Sequence, residues 1–195
     1  MTATPSSAVG VLLAQLGTPE APTAAALRPY LREFLSDPRV IDLPRWKWLP
    51  ILHLVVLRVR PARSARLYAR IWTSEGSPLM VHSRAQTQGL QERLGDRYQV
   101  VLGMRYGQPS IAAAMRQFAE AGIERILVFP MFPQFSASTT GSIYDAVNRA
   151  ATGRRCPLFF DRRRRMPAWA RRPLGRARQR LRPAQAEEAL GRARA

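Results

Sequence analysis

Three observations predict an α/β fold, a parallel sheet flanked by helices. Residues 9–16, 98–104 and 125–131 are short apolar runs of the length and composition of buried parallel strands. A single amphipathic helix separates the second run from the third, which makes a strand–helix–strand crossover, expected to be right-handed. Each run ends in unusual residues: Leu16-Gly17-Thr18, Arg105-Tyr106-Gly107 and Phe132-Pro133-Gln134-Phe135-Ser136.

In chain order, Val9 to Leu16 is apolar throughout and is closed by Gly17-Thr18-Pro19. Thr23 then caps a helix through about Ser36, in which Leu27, Leu31, Phe34 and Leu35 recur at i, i+4, i+7 and i+8 as one stripe for the core. Residues 45–70 carry bulky apolar side chains with Pro50 and Pro61 among them, so the reading is an irregular piece with one or two short helices. Residues 78–94 read as a helix that Gly95 ends.

Ser110 is a good N-cap for the crossover helix, where Ile111, Ala114, Met115, Phe118 and Ala119 form the buried stripe and Gly122 closes it. After the third strand, Phe132 to Ser142 is an aromatic, hydroxyl-rich loop that opens another helix. Residues 1–153 therefore form the α/β domain. Residues 154–195 read as a disordered Arg-rich low-complexity tail, at best a marginal helix around 184–190, or as a frameshifted stretch of coding sequence.

A chain of 195 residues with 46% hydrophobic content can bury one sizeable core. One cysteine, Cys156, leaves no intramolecular disulfide and no set of thiolates for a metal. The first ten residues lack the basic start of a secretory signal, and the longest mostly apolar run, 48–57, is too short to span a bilayer. A cytoplasmic protein is the simplest reading. The net charge of +18 divides unevenly: residues 154–195 hold 14 Arg against Asp161, Glu187 and Glu188, net +11, which leaves net +7 on the first 153 residues. A nucleic-acid arm is therefore confined to the tail, which has no interleaved aromatic beyond Trp169.

The carboxyl ends of parallel strands share one edge of a sheet, so the three unusual segments converge on one crevice. Its lining is aromatic and hydroxylated and contains one arginine, which suits a large flat apolar ligand with acidic edges. A nucleotide is a poorer fit, because neither G-x-G-x-x-G nor a P-loop follows any strand. Arg105 reads equally as a ligand's carboxylate partner or as half of an internal ion pair. Ser136 to Thr140 serves as a capping segment, as an anion-binding helix start, or both. His53 and His82 have no Cys, Asp or Glu at ligand spacing, so no metal ligand is assigned.

Gly103-Met104-Arg105-Tyr106-Gly107-Gln108-Pro109, the string Ser138-Thr139-Thr140-Gly141-Ser142, and Leu16-Gly17-Thr18-Pro19 together resemble the ferrochelatase family over about residues 9–153. The hydroxyl string looks less like the related cobalt chelatases. The resemblance implies a Rossmann-like, chelatase-type domain, one of two in the family, and a parent activity in haem synthesis: insertion of Fe(II), a substrate, into protoporphyrin IX or coproporphyrin III. It implies porphyrin contacts by Leu16, Arg60, Ser77, Arg105, Tyr106, Phe135, Ser136, Ser138 and Thr139. Phe135 stands where relatives often have tyrosine, and Leu16 where they have methionine or tyrosine. Trp46, Trp48, Leu49, Ile51, Leu52, Leu54, Val55, Val56 and Leu57 correspond to a hydrophobic lip able to touch the inner face of a membrane; packing on the sheet is the alternative.

The same resemblance assigns proton removal to a histidine in a Ser-(Phe/Ala)-His motif and the iron path to a glutamate, both in the second domain. No such motif occurs here, so no catalytic residue is assigned, no cofactor is expected, and the chain reads as a truncated, inactive fragment. A porphyrin-binding module without catalysis is the alternative.

Overall fold

The computed structural model describes residues 8–152 and the strand 158–160. Strand β1 (Val9–Gly17) leads to helices α1 (Ala24–Leu35), α2 (Arg45–Ile51) and α3 (Leu57–Ile71), then α4 (Pro78–Leu94). Strand β2 (Tyr98–Tyr106), α5 (Ile111–Glu120), β3 (Arg125–Pro130), α6 (Ser142–Ala151) and β4 (Leu158–Phe160) complete the order. The strands form a parallel sheet in the order β2-β1-β3-β4.

Side chains alternate across a strand, and the sheet has a hydrophobic cluster on each face. Val11, Leu13, Val100, Leu102 and Met104 pack with Met80, Leu90 and Leu94 of α4. On the other face Leu12, Ala14, Val101, Ile126 and Val128 meet Ile111, Met115 and Phe118 of α5 and Ile143 and Val147 of α6. Each large side chain fully buried in this way contributes roughly 2 kcal/mol. Gly103 brings α5 close: a Cβ there would lie 2.8 Å from Leu12 Cδ1 and 3.3 Å from Ile111 Cα. A third cluster, built by Leu27, Tyr30, Leu31, Leu35, Leu52 and Leu57 of the helices, closes on Tyr106 at the end of β2.

The caps expected at Thr23 and Ser110 form, each hydroxyl accepting a backbone N–H three residues on, at 3.3 and 3.1 Å. Helix α4 has the bounds read from the sequence, with Gly95 at φ 67° as its cap.

Residues 45–71 differ from expectation. They are helical throughout, a π-helical turn (Leu52–Val56) joining α2 to α3. Pro50 cannot donate to the Trp46 carbonyl, and the wider turn follows directly after it. Pro61 likewise withholds a donor from the Leu57 carbonyl, which Arg28 Nε of α1 supplies instead at 3.2 Å. The prolines are absorbed because a neighbouring helix and a local change of pitch take up what they remove.

The boundary at residue 153 also needs revision. Leu158–Phe160, within the segment read as a tail, pairs in parallel with β3, Ile126 opposite Leu158 and Val128 opposite Phe160. The other expectations for the tail, its disorder, its marginal helix and its frameshift, lie outside the described residues.

Candidate functional site at the carboxyl ends of the strands

The chain leaves β1 for β2 on one side, while β3 lies on the other. Loops from β1 and β3 therefore diverge at a topological switch point, where open α/β sheets place ligands. Gly17 is opposite Tyr106 in register, and its φ of 114° and an approach that would put a Cβ 1.8 Å from the Tyr106 carbonyl oxygen admit only glycine. Beyond β3, Met131 N–H donates to the Ala14 carbonyl at 2.9 Å, so the loop leaves from a fixed point beside β1.

Beneath this edge sits a polar network centred on Asp37, just beyond α1. Arg105 Nη2 pairs with Asp37 Oδ2, and Arg105 Nε donates to the Ser142 hydroxyl and, at 3.1 Å, to its carbonyl. Ser142 Oγ and Tyr106 Oη both donate to the same carboxylate oxygen, the latter at 2.9 Å. Glu33 stands 3.9 Å from Arg105 Nη1 and accepts the Gly107 N–H at 3.0 Å. Arg39 donates its backbone N–H to Asp37 Oδ1 at 2.8 Å and pairs through its side chain with Asp145 of α6.

Burial alone would raise the Asp37 carboxyl; hydrogen bonds from Ser142, the Arg39 N–H and Tyr106, with the Arg105 charge, outweigh it and hold the group below its ordinary range. Burial pushes the Tyr106 phenol up to about 12 against the opposing effects of Ser142 and Arg105. The network ties the ends of α1 and β2 to the start of α6.

The ferrochelatase family model matches residues 8–171 of this sequence. The chain belongs to the ferrochelatase family. A ferrochelatase of Alcanivorax borkumensis is 53% identical over 151 residues, 75% of this chain and 44% of the relative. A coproporphyrin III ferrochelatase of Symbiobacterium thermophilum is 53% identical over 146 residues, 74% of this chain and 46% of the relative. A ferrochelatase of Methylibium petroleiphilum is 56% identical over 151 residues, 75% of this chain and 42% of the relative. The chain thus spans less than half the length of these curated relatives.

Within this ferrochelatase-family chain the expected contact residues separate into groups. Leu16 is half-buried at the end of β1, against the cluster that holds Tyr106. Phe135 and Ser138 are half-buried and Ser136 is exposed in the loop after β3, with the Ser136 and Ser138 hydroxyls 3.0 Å apart. Thr139 Oγ1 donates back to the Ser136 carbonyl at 3.4 Å, and a π-helical turn (Ala137–Gly141) runs from there into α6. Ser77 is buried and accepts from Thr18 Oγ1 at 2.8 Å, so it braces the β1 end against the start of α4. Arg60 is exposed on α3.

Arg105 and Tyr106 are committed to the protein itself: the Arg105 side chain is 10% exposed and Tyr106 is fully buried. Of the two readings of Arg105 the internal ion pair is the one realised here, because Asp37 already occupies its guanidinium. Sequence reasoning did not name Asp37, and it gave Ser142 no role beyond its place in the hydroxyl string. The available signal was Arg105 itself, since an arginine at the end of a buried strand needs an acid nearby, but 68 residues separate the two and no spacing rule connects them. No group of three His, Cys, Asp or Glu side chains able to hold a metal occurs among the described residues.

Proposed function

We propose that this chain forms one wall of a ferrochelatase site in which Fe(II) enters protoporphyrin IX or coproporphyrin III, and that its 195 residues bind porphyrin without metallating it. The observation that supports this reading is the switch point between β1 and β3, with Leu16 at the end of one strand and Phe135, Ser136 and Ser138 in the loop that follows the other. Leu16 and Phe135 offer apolar surface to a macrocycle. The paired hydroxyls of Ser136 and Ser138, at the start of a helix, offer donors to a propionate. Arg105 and Tyr106 act behind this surface as its support.

Metallation needs a base for the pyrrole N–H protons, a route for the metal and a pocket that bends the ring. The Ser-(Phe/Ala)-His motif that carries the base in ferrochelatases is absent from these residues. Titrating the chain with protoporphyrin and following tryptophan fluorescence tests the binding. Saturable quenching, weakened in Ser136→Ala/Ser138→Ala, is expected, and absence of saturable quenching by the unmodified chain refutes the reading. Adding Fe(II) tests the second half: turnover at an ordinary enzymatic rate would show that the base is present after all.

A peripheral membrane contact is a second element of the reading. Trp46, Leu54 and Val55 are 74%, 60% and 56% exposed, and no helix among the described residues is long and apolar enough to cross a membrane. We place the chain in the cytoplasm with Trp46, Leu54 and Val55 touching the inner face of the membrane; of the lip expected over residues 46–57, Leu52 and Leu57 are instead buried in the helical cluster. The tail's charge is not needed for this function, and no role for nucleic acid is proposed.

A further inference from the structure

We infer that the outward face of α3 docks this chain onto anionic lipid headgroups. The inference rests on the membrane contact proposed above and goes beyond it in naming the lipid class and the residues that select it.

The packed side of α3 is marked by buried Leu57 and Pro61 and by half-buried Ala65 and Tyr68, which join the cluster around α1. Helical periodicity puts Val59, Arg63, Arg66 and Arg70 on the opposite side, flanked by Leu67 and Ile71, and all six are exposed. Val59, Leu67 and Ile71 are 67%, 58% and 59% exposed. None of Arg58, Arg60, Arg63, Arg66 and Arg70 has a carboxylate within 4.0 Å among the described residues. Over the whole helical stretch 45–71 there are seven Arg and Lys and no Asp or Glu.

Charge and apolarity on one continuous surface decide the partner. A bilayer with anionic headgroups offers phosphates to the arginines and an apolar phase to Val59, Leu67, Ile71 and the exposed Trp46, Leu54 and Val55. The backbone of a nucleic acid offers only the first. A neutral bilayer offers only the second and leaves five cations without counter-charge. Arginine stems also lie along apolar surface while their heads reach the phosphates.

The test uses the full chain and co-flotation with vesicles of phosphatidylcholine alone or of equal parts phosphatidylcholine and phosphatidylglycerol. Strong preference for the anionic vesicles, reduced by salt, is expected. Each arginine near an anionic surface contributes about fivefold, so Arg63→Gln/Arg66→Gln/Arg70→Gln is expected to lower partitioning on the order of a hundredfold. Unchanged far-ultraviolet circular dichroism verifies folding, and the same substitutions to glutamate, read the same way, are expected to abolish binding. Because the tail is basic, the charge-matched control is Arg162→Gln/Arg163→Gln/Arg164→Gln, expected to retain most of the binding. Equal losses in control and α3 variants overturn the inference by showing that bulk charge suffices. Equal partitioning of the unmodified chain into both vesicle types leaves the membrane contact standing and overturns its selectivity. Failure to bind either type overturns both.

Discussion

Arg105 at the end of β2 and Asp37 beyond α1 form a buried ion pair across 68 residues of chain, with Ser142 and Tyr106 on the same carboxylate oxygen. The pair joins the helical cluster above the sheet to the start of α6. Its chemistry is asymmetric: with both members present the two charges compensate each other, and with one removed a charge stays buried without its partner.

Arg105→Met is therefore expected to destabilise the fold by about 3 kcal/mol or more, since the Asp37 side chain is only 4% exposed. Asp37→Ala should cost a comparable amount. The double variant should cost distinctly less than the two single losses added together. Urea unfolding of the four proteins measures this, and simple additivity would show that the pair is not coupled.

The same network sets a pH dependence. The Asp37 carboxyl is held below its ordinary range in the folded chain, so its contribution is present above the unfolded value near ~4 and is lost as pH falls through the lower folded value. Tyr106 behaves oppositely. With the folded phenol at about 12 and the unfolded one near ~10, its contribution is present below ~10 and is lost as pH rises through the folded value. Unfolding free energies across acid and alkaline pH are expected to fall less steeply in Asp37→Asn on the acid side and in Tyr106→Phe on the alkaline side.

Two glycines should respond in opposite directions to alanine. Gly17→Ala meets the Tyr106 carbonyl and a left-handed backbone, and is expected to prevent stable folding. Gly89 lies inside α4, and a Cβ added there would meet nothing within 4 Å, so Gly89→Ala should stabilise by roughly 0.5–1 kcal/mol. Soluble yield and thermal midpoints report both.

Arg28 replaces the donor that Pro61 withholds from the Leu57 carbonyl. Arg28→Ala is expected to cost about 1 kcal/mol, because this hydrogen bond is only partly buried. Adding Pro61→Ala restores a backbone donor, so the Arg28→Ala loss should shrink in that background. An undiminished loss would show that Arg28 acts through some other contact.

Much of this architecture is written locally. The strand runs, the caps at Thr23 and Ser110, the bounds of α4 and the α5 stripe of Ile111, Ala114, Met115 and Phe118, though not the exposed Ala119, follow from side-chain alternation, helical period and capping chemistry, which act over a few residues. Convergence of the strand ends follows too, because parallel strands can only finish on one edge. The continuity of residues 45–71 did not follow, since a proline reads as a breaker until a partner such as Arg28 is known. Leu158–Phe160 is too short a run, in too basic a setting, to declare itself without β3 beside it.

By itself the sequence determined three strands of the sheet, helices α1, α4, α5 and α6, the edge on which those strands end and the family to which the chain is similar, all through patterns confined to neighbouring residues. Only the tertiary structure decided that Arg105 and Tyr106 turn inward to Asp37 while Ser136 stays exposed and Ser138 half-buried. The partner of a buried charge is chosen by proximity in space, and a gap of 68 residues along the chain carries no trace of it.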